Sequence, residues 1–221
     1  MRSKLDIALY GIIDTARCAA RPLDDLVRLA VEGGVTLLQY RDKTSDTRTL
    51  VANARLIKSA LTESGVPLLI NDRVDVALAA EADGVHIGQS DMMPADARSV
   101  LGEAAIIGLT VKTTGQAQAA PLDLIDYACI GGVYATLSKD NPNAIGIEGW
   151  QDVAEPLRTR APQFPVGAIA GIDASNAAGV MEAGADGVAI ISGIFMQDDV
   201  RAAARTLSEI VSPYTHGKPR P

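Results

Sequence analysis

Eight short apolar runs, at 7–13, 35–40, 67–70, 84–87, 105–109, 127–130, 166–169 and 187–191, recur along the chain with amphipathic stretches between them. The runs are rich in Ile, Val and Leu and of strand length. The intervening stretches, such as 22–32, 46–64 and 174–183, repeat their apolar residues at intervals of three and four, the period of a helix. Alternating strand and helix predicts a parallel sheet, and eight such units in 221 residues match a closed (β/α)8 TIM barrel in a single α/β domain. An open doubly wound sheet is the competing architecture, but it needs a reversal of strand order that the even spacing does not show. The barrel is expected over 1–212, with 213–221, rich in Pro, Gly, Lys and Arg, as a flexible tail.

Internal repetition agrees. Ala82, Asp83, Gly84, Val85, His86 and Ile87 echo Ala185, Asp186, Gly187, Val188, Ala189 and Ile190, and Glu32 to Thr36 form a looser third copy. In each copy Gly permits a tight entry from helix to strand, so the repeats locate strands rather than chemistry. His86 is accordingly expected to be structural.

In a barrel of this kind the site lies at the C-terminal ends of the strands, and the polar residues there are plentiful. Gln39, Arg41 and Lys43 follow the second run and share one face by the period of two, forming a pocket for something anionic; an ordinary strand running out into solvated loop is the alternative. Asn71 and Asp72 follow the third run, Asp91 the fourth and Thr110 the fifth; Thr136, Ser138 and Lys139 follow the sixth. Asp72 and Asp91 suit magnesium, which takes a few carboxylates and completes its shell with water and phosphate oxygens, yet each also stands where a helix cap belongs. Glycine-containing loops around Gly171 and after Ile191 and Ser192 can present backbone N–H groups to a phosphate.

Charge sharpens this reading. Lys and Arg total 20 against 27 Asp and Glu, a net charge of −7, which argues against general binding to nucleic acid or to an anionic membrane. The basic residues at the strand ends therefore serve a site. Two cysteines, Cys18 and Cys129, form no ligand or disulfide spacing, and no run of membrane-spanning length occurs. A cytoplasmic protein is expected, and the sequence leaves its oligomeric state open.

Taken in order, the 39–43 segment, Asn71 with Asp72, the 84–91 segment, 136–139 and the two late loops resemble the thiamine phosphate synthases over about residues 9–210. The resemblance implies a Mg2+-dependent transferase that joins 4-amino-2-methyl-5-hydroxymethylpyrimidine diphosphate to 4-methyl-5-hydroxyethylthiazole phosphate and releases pyrophosphate. It implies that Gln39, Arg41, Lys43, Asn71 and Lys139 hold the pyrimidine diphosphate, Asp72 and Asp91 the metal, and Thr110 the pyrimidine ring. Thr136, Ser138, Gly171, Ile191 and Ser192 would bind the thiazole phosphate, with Arg41 and Lys139 stabilising the leaving group.

The chain also departs from its relatives. Gly132 stands where proline is frequent, Tyr134 where phenylalanine is, Ser138 where threonine is and Ala170 where a second glycine is usual; each is expected to keep backbone shape or hydroxyl function. Lys112 stands two residues after Thr110, where relatives frequently carry histidine. A thiazole tautomerase of the same fold would rely on that histidine, and a noncatalytic phosphate binder would have less need of the carboxylates. The 139–146 stretch is expected to close over substrate, with Trp150 either reporting that motion or packing the start of a helix.

Overall fold

The computed structural model describes residues 5–18, 21–135 and 144–215. Its eight strands are β1 (Leu9–Asp14), β2 (Leu37–Arg41), β3 (Leu68–Asn71), β4 (Gly84–Ile87), β5 (Ile106–Val111), β6 (Tyr127–Gly131), β7 (Val166–Ile169) and β8 (Gly187–Ile190). All pair in parallel with their sequence neighbours, and β8 returns to β1, closing the barrel. Closure leaves no open edge and covers both strand faces, which is why the strands read as near-continuous apolar runs. The helices are α1 (Leu23–Glu32), α2 (Thr47–Leu61), α3 (Val74–Ala79), α4 (Pro94–Leu101), α5 (Thr114–Ala119), α6 (Gly146–Arg160), α7 (Ala177–Glu182), α8 (Ser192–Phe195) and α9 (Val200–Thr215).

Alternation divides the core into two layers. Leu9, Ile13, Leu38, Tyr40, Leu68, Ile70, Val85, Ile87, Ile107, Ala128, Val166 and Val188 point outward and pack under the helices. Tyr10, Ile12, Leu37, Leu69, Tyr127, Cys129 and Ala189 fill the lumen. Lumen space is shared unequally. A Cβ on Gly108 would strike the Tyr127 ring, so the bare glycine admits the phenol, and one on Gly84 or Gly187 would strike the backbone at Ile106 or Ile7.

One device recurs at the start of every second strand. Thr36, Asp83, Asp126 and Asp186 immediately precede β2, β4, β6 and β8. Their side chains accept the N–H of Leu9 at 3.1 Å, Leu68 at 2.7 Å, Ile107 at 2.8 Å and Val166 at 2.8 Å on the strand before. Each backbone N–H donates back to the carbonyl of that same residue, at 2.8 to 2.9 Å. The three aspartates also meet a cation from the even helices: Lys58 of α2 at 2.6 Å, Arg98 of α4 at 2.9 Å and Arg158 of α6 at 3.6 Å. The sequence repeat is therefore more than a glycine entry, because its aspartate fastens two strands in register and ties them to a helix.

Element bounds shift from the sequence reading at several ends, and two of the shifts are instructive. Helix α9 runs through Pro213 to Thr215 rather than yielding to a tail at 213, and the Tyr214 hydroxyl donates to Glu182 Oε1 at 2.9 Å. Residues 174–176 stay out of α7 because Asp173 and Asn176 cap the turn: Ser175 N–H donates to Asp173 Oδ1 at 2.8 Å and Asp173 N–H to Asn176 Oδ1 at 3.0 Å. Trp150 packs, as one of its two readings had it: buried on α6, it donates from Nε1 to the Gly167 carbonyl at 3.3 Å. No helix among the described residues is long and apolar enough to cross a membrane.

The fasteners differ in burial, and so in what their loss costs. The Arg98 and Asp126 side chains are 7% and 14% exposed, against 35% and 34% for Lys58 and Asp83. Asp126→Ala leaves the buried Arg98 guanidinium with carbonyl partners but no counter-charge and orphans the Ile107 N–H, and is expected to cost about 3 kcal/mol of unfolding free energy. Asp83→Ala should cost only about 1 to 2 kcal/mol, chiefly the orphaned Leu68 N–H. Urea denaturation of both variants checks the ranking, and equal losses contradict it.

Candidate active site

The C-terminal ends of the strands bring the expected residues to one mouth. On β2, Leu37 sits in the lumen layer and Leu38 and Tyr40 in the outer one. Gln39 and Arg41 therefore point inward. Gln39 is 2% exposed and donates from Nε2 to the Tyr10 hydroxyl. The Arg41 guanidinium donates to the carboxylate of Asp14, the last residue of β1, whose side chain is 3% exposed. Asp14 thus holds Arg41 in one orientation. It also follows an apolar run, so the rule that found the other strand-end residues finds it too, although the sequence reading passed over it.

Beyond β2 the chain turns on Asp42, whose carboxylate accepts the Thr44 and Ser45 N–H groups at 2.9 and 3.0 Å. Burial acts to raise its pKa, but those hydrogen bonds prevail and hold it well below the usual carboxylate range. The turn aims Lys43 at Asp72, and the two form an ion pair.

Asp72 and Asp91 are not helix caps. The N-cap of α3 is Arg73 and that of α4 is Met93, and neither makes a side-chain capping bond. Asp72 instead sits at φ 59°, a left-handed conformation that aspartate tolerates at some cost. Its N–H donates to the His86 carbonyl at 2.9 Å. Asp91 Oδ2 accepts the Gly88 N–H at 2.7 Å. Burial first, and then the neighbouring Asp72 carboxylate, raise the Asp91 pKa, against the lowering effect of Gly88 and Lys43. An Asp91 carboxyl that holds its proton beside Asp72 at the strand ends fits a divalent cation completed by water and phosphate oxygens. Among the described residues no group of three or more His, Cys, Asp or Glu converges on a metal position, so such an ion would draw the rest of its shell from ligand and solvent.

Asn71, at the end of β3, has its Nδ2 buried without a hydrogen-bond partner among the described residues. A buried donor left unpaired costs about 1 to 3 kcal/mol, a cost that a bound acceptor removes. Thr110 on β5 accepts Gln89 Nε2–H through its carbonyl at 2.8 Å, and its hydroxyl lies 2.7 Å from His86 Nε2. Lys112 is exposed, its backbone N–H donating to Gln116 Oε1 at 2.7 Å.

On the far side, Gly171 follows β7 at φ 64°, and a Cβ there would meet the Ala135 carbonyl and the Tyr134 side chain. The β6 and β7 loops can approach this closely only with glycine at 171. Ile191 and Ser192 follow β8, Ser192 opening the single turn α8. Thr136, Ser138 and Lys139 lie outside the described residues, as does most of the 139–146 stretch. Cys18 is buried, which pushes its thiol up to about 11, out of the nucleophilic range.

Two of the departures fall at left-handed backbone. Gly132 has φ 88° and donates its N–H to the Ile169 carbonyl at 3.1 Å. Proline can supply neither, so the expectation that Gly132 keeps the shape of a proline loop is corrected. Ala170 has φ 94°, a region natural to glycine and strained for alanine.

Comparison with known proteins gives one answer. The family model described as "Thiamine monophosphate synthase" matches residues 9–194. A thiamine-phosphate synthase of Agrobacterium fabrum is 50% identical over 202 residues, covering 91% of this chain and 92% of that protein. One of Moorella thermoacetica is 43% identical over 205 residues, covering 92% and 95%. A solved thiamine phosphate pyrophosphorylase of Pyrococcus furiosus superposes with a TM-score of 0.83 at 34% identity, covering 96% of this chain and 98% of that one.

The strain at Ala170 is directly testable. Ala170→Gly is expected to raise unfolding free energy by about 1 kcal/mol, the relief of a positive φ outweighing the added chain entropy. Thermal denaturation measures it, and a lowered Tm contradicts the assignment.

Proposed function

We propose that this chain, which belongs to the thiamine monophosphate synthase family, carries its reaction at the β1–β5 mouth, joining 4-amino-2-methyl-5-hydroxymethylpyrimidine diphosphate to 4-methyl-5-hydroxyethylthiazole phosphate. The observation that carries this reading is the juxtaposition of an Asp14-held Arg41, the Lys43–Asp72 pair, the raised Asp91 and the unpaired Asn71 donor. Together they make a cradle for a diphosphate and its counter-ion.

In the reaction the bond between the pyrimidine methylene carbon and the diphosphate oxygen breaks, and the electron pair leaves with pyrophosphate. The thiazole nitrogen supplies a pair to the same carbon, forming the new C–N bond. Arg41, Lys43 and Lys139 stabilise charge that grows on the departing oxygen, and so act more strongly on the transition state than on the ground state. Asn71 donates to the diphosphate from Nδ2. Asp72 and Asp91 would hold magnesium, which when bound neutralises diphosphate charge. Gln39 and Thr110 hold the pyrimidine. The electron-rich aminopyrimidine spreads the positive charge on its methylene, so no protein nucleophile is needed. Thr136, Ser138, Gly171, Ile191 and Ser192 hold the thiazole phosphate so that its nitrogen faces the methylene, converting an encounter of two molecules into an aligned displacement.

Purified chain incubated with both substrates and magnesium should form thiamine phosphate and pyrophosphate, read by mass spectrometry; a folded sample that makes neither overturns the reading. Arg41→Ala is expected to lower turnover at least about 100-fold with little change in Tm. A second outcome follows from Asp91. A carboxyl whose pKa is raised holds its proton more tightly, so proton and metal compete. The magnesium concentration for half-maximal rate should therefore rise as pH falls through the Asp91 titration. Asp72→Asn removes a proposed ligand together with the like charge, and should raise the magnesium concentration needed while weakening its pH dependence. A magnesium titration of this variant identical to the wild type would remove Asp72 from the metal site.

A further inference from the structure

The segment after β7 is pinned from two sides by groups that the proposed function leaves unused. Asn176 stands at the N-cap of α7, yet its side chain makes no capping bond to that helix. It turns back along the chain instead: Nδ2 donates to the Gly171 carbonyl at 2.9 Å, and Oδ1 accepts the Asp173 N–H at 3.0 Å. The two bonds fix the orientation of the amide, because a reversed side chain would set donor against donor and acceptor against acceptor. From the other side, Tyr134 in the β6 loop donates its N–H to the Ala170 carbonyl at 3.0 Å.

These bonds set the backbone between them. Carbonyl and N–H point in opposite directions across a trans peptide, so a Gly171 carbonyl held by Asn176 turns the Ile172 N–H away from α7. With the Asp173 N–H held by the same side chain, the Ile172 carbonyl turns that way too. The contact at Gly193 shows where this is: a Cβ on Gly193, in the α8 turn after β8, would lie 3.5 Å from the Ile172 carbonyl oxygen. The Ile172 N–H therefore faces the side on which Ile191 and Ser192 lie. Ile172 is 5% exposed, and its N–H has no acceptor among the described residues. An N–H in such surroundings is costly to leave unpaired and bonds most strongly to a charged oxygen.

We propose that Asn176 is a positioning residue for the second substrate: by clamping the Gly171 carbonyl and the Asp173 N–H it aims the Ile172 N–H at the thiazole's phosphate, and so favours the phosphorylated thiazole over the free alcohol. The inference rests on the functional reading above, which puts the thiazole phosphate against Gly171, Ile191 and Ser192. Asn176 itself does not touch substrate. It fixes before binding an arrangement that the loop would otherwise have to adopt on binding, and a donor set in place beforehand binds an anion more tightly than one that must be ordered. The neighbouring carboxylate cannot replace it: Asp173 accepts from the Ser175 N–H and hydroxyl at 2.8 and 2.6 Å and has no donor for a carbonyl. The pyrimidine diphosphate, held at the β2 to β5 ends, does not depend on the clamp.

Kinetics on the full chain with each substrate varied in turn separate the clamp from packing. Asn176→Ala removes both bonds and is expected to raise KM for the thiazole phosphate about tenfold while leaving KM for the pyrimidine diphosphate as it was. Asn176→Asp keeps an acceptor for the Asp173 N–H, and with it the turn, but has no donor for the Gly171 carbonyl. It should show the same one-sided rise, which keeps the test decisive if the alanine variant folds poorly. A rise in both KM values, or no rise in the thiazole one, overturns the proposal and leaves Asn176 as packing. On the unsubstituted chain, nitrogen-15 NMR should show the Ile172 amide proton moving downfield when thiazole phosphate is added and staying in place with 4-methyl-5-hydroxyethylthiazole. An amide that ignores the phosphate overturns the proposal too. A phosphate-specific shift in a folded chain that makes no thiamine phosphate would sustain the clamp and overturn the functional reading. Turnover without that shift would do the reverse.

Discussion

Everything at the mouth depends on strand register, and register is held at the opposite end. Thr36, Asp83, Asp126 and Asp186 each take an N–H from the preceding strand with a side-chain oxygen and return a backbone N–H to the same residue. A slip by one residue turns every inward side chain outward. Gln39 would then face the helices and Tyr40 the lumen. A two-point clasp at four pairs of strands resists that slip where it begins, and the cations on α2, α4 and α6 extend the clasp to the outer layer. The architecture is thus a fourfold assembly of strand–helix–strand–helix units, each locked at the end away from the chemistry.

The mouth has the opposite character. Asp72 and Ala170 occupy positive φ, Asp91 resists ionisation, and Asn71 keeps a donor with no partner among the described residues. Each feature is unfavourable alone; under the proposed function a cation would offset the carboxylate pair and a substrate acceptor the Asn71 amide, whereas the positive φ at Asp72 and Ala170 is borne by the fold. The clasped base supports this arrangement, since strain is retained where the surrounding structure leaves the chain no alternative.

Much of this was legible in the sequence because alternation and strand ends are local properties. The eight runs fall on the eight strands, and Gln39, Arg41, Asn71, Asp72, Asp91 and Thr110 reach the mouth as their positions imply. What remained hidden depends on closure. Asp83 and Asp186 looked like glycine-entry grammar because their partners, the Leu68 and Val166 N–H groups, belong to other strands. The contacts of His86 were hidden because nothing near it in sequence reveals Tyr127 on one side of its ring and Thr110 on the other. Asp14 sat after a run like its counterparts but gained meaning only when β1 paired with β2. Gly132 was misjudged for a different reason: a positive φ cannot be read from a residue that permits every φ.

The contact between Gly108 and Tyr127 bears on how such sequences diverge. The phenol occupies the volume that a methyl group at 108 would need, so the two positions cannot vary independently. A lineage that acquires alanine at 108 must first lose the ring at 127, and one that keeps the tyrosine stays confined to glycine. Since Tyr127 also stands between Tyr10 and His86, drift at 108 is tied to Tyr10 on β1 as well as to His86, its own register partner on β4.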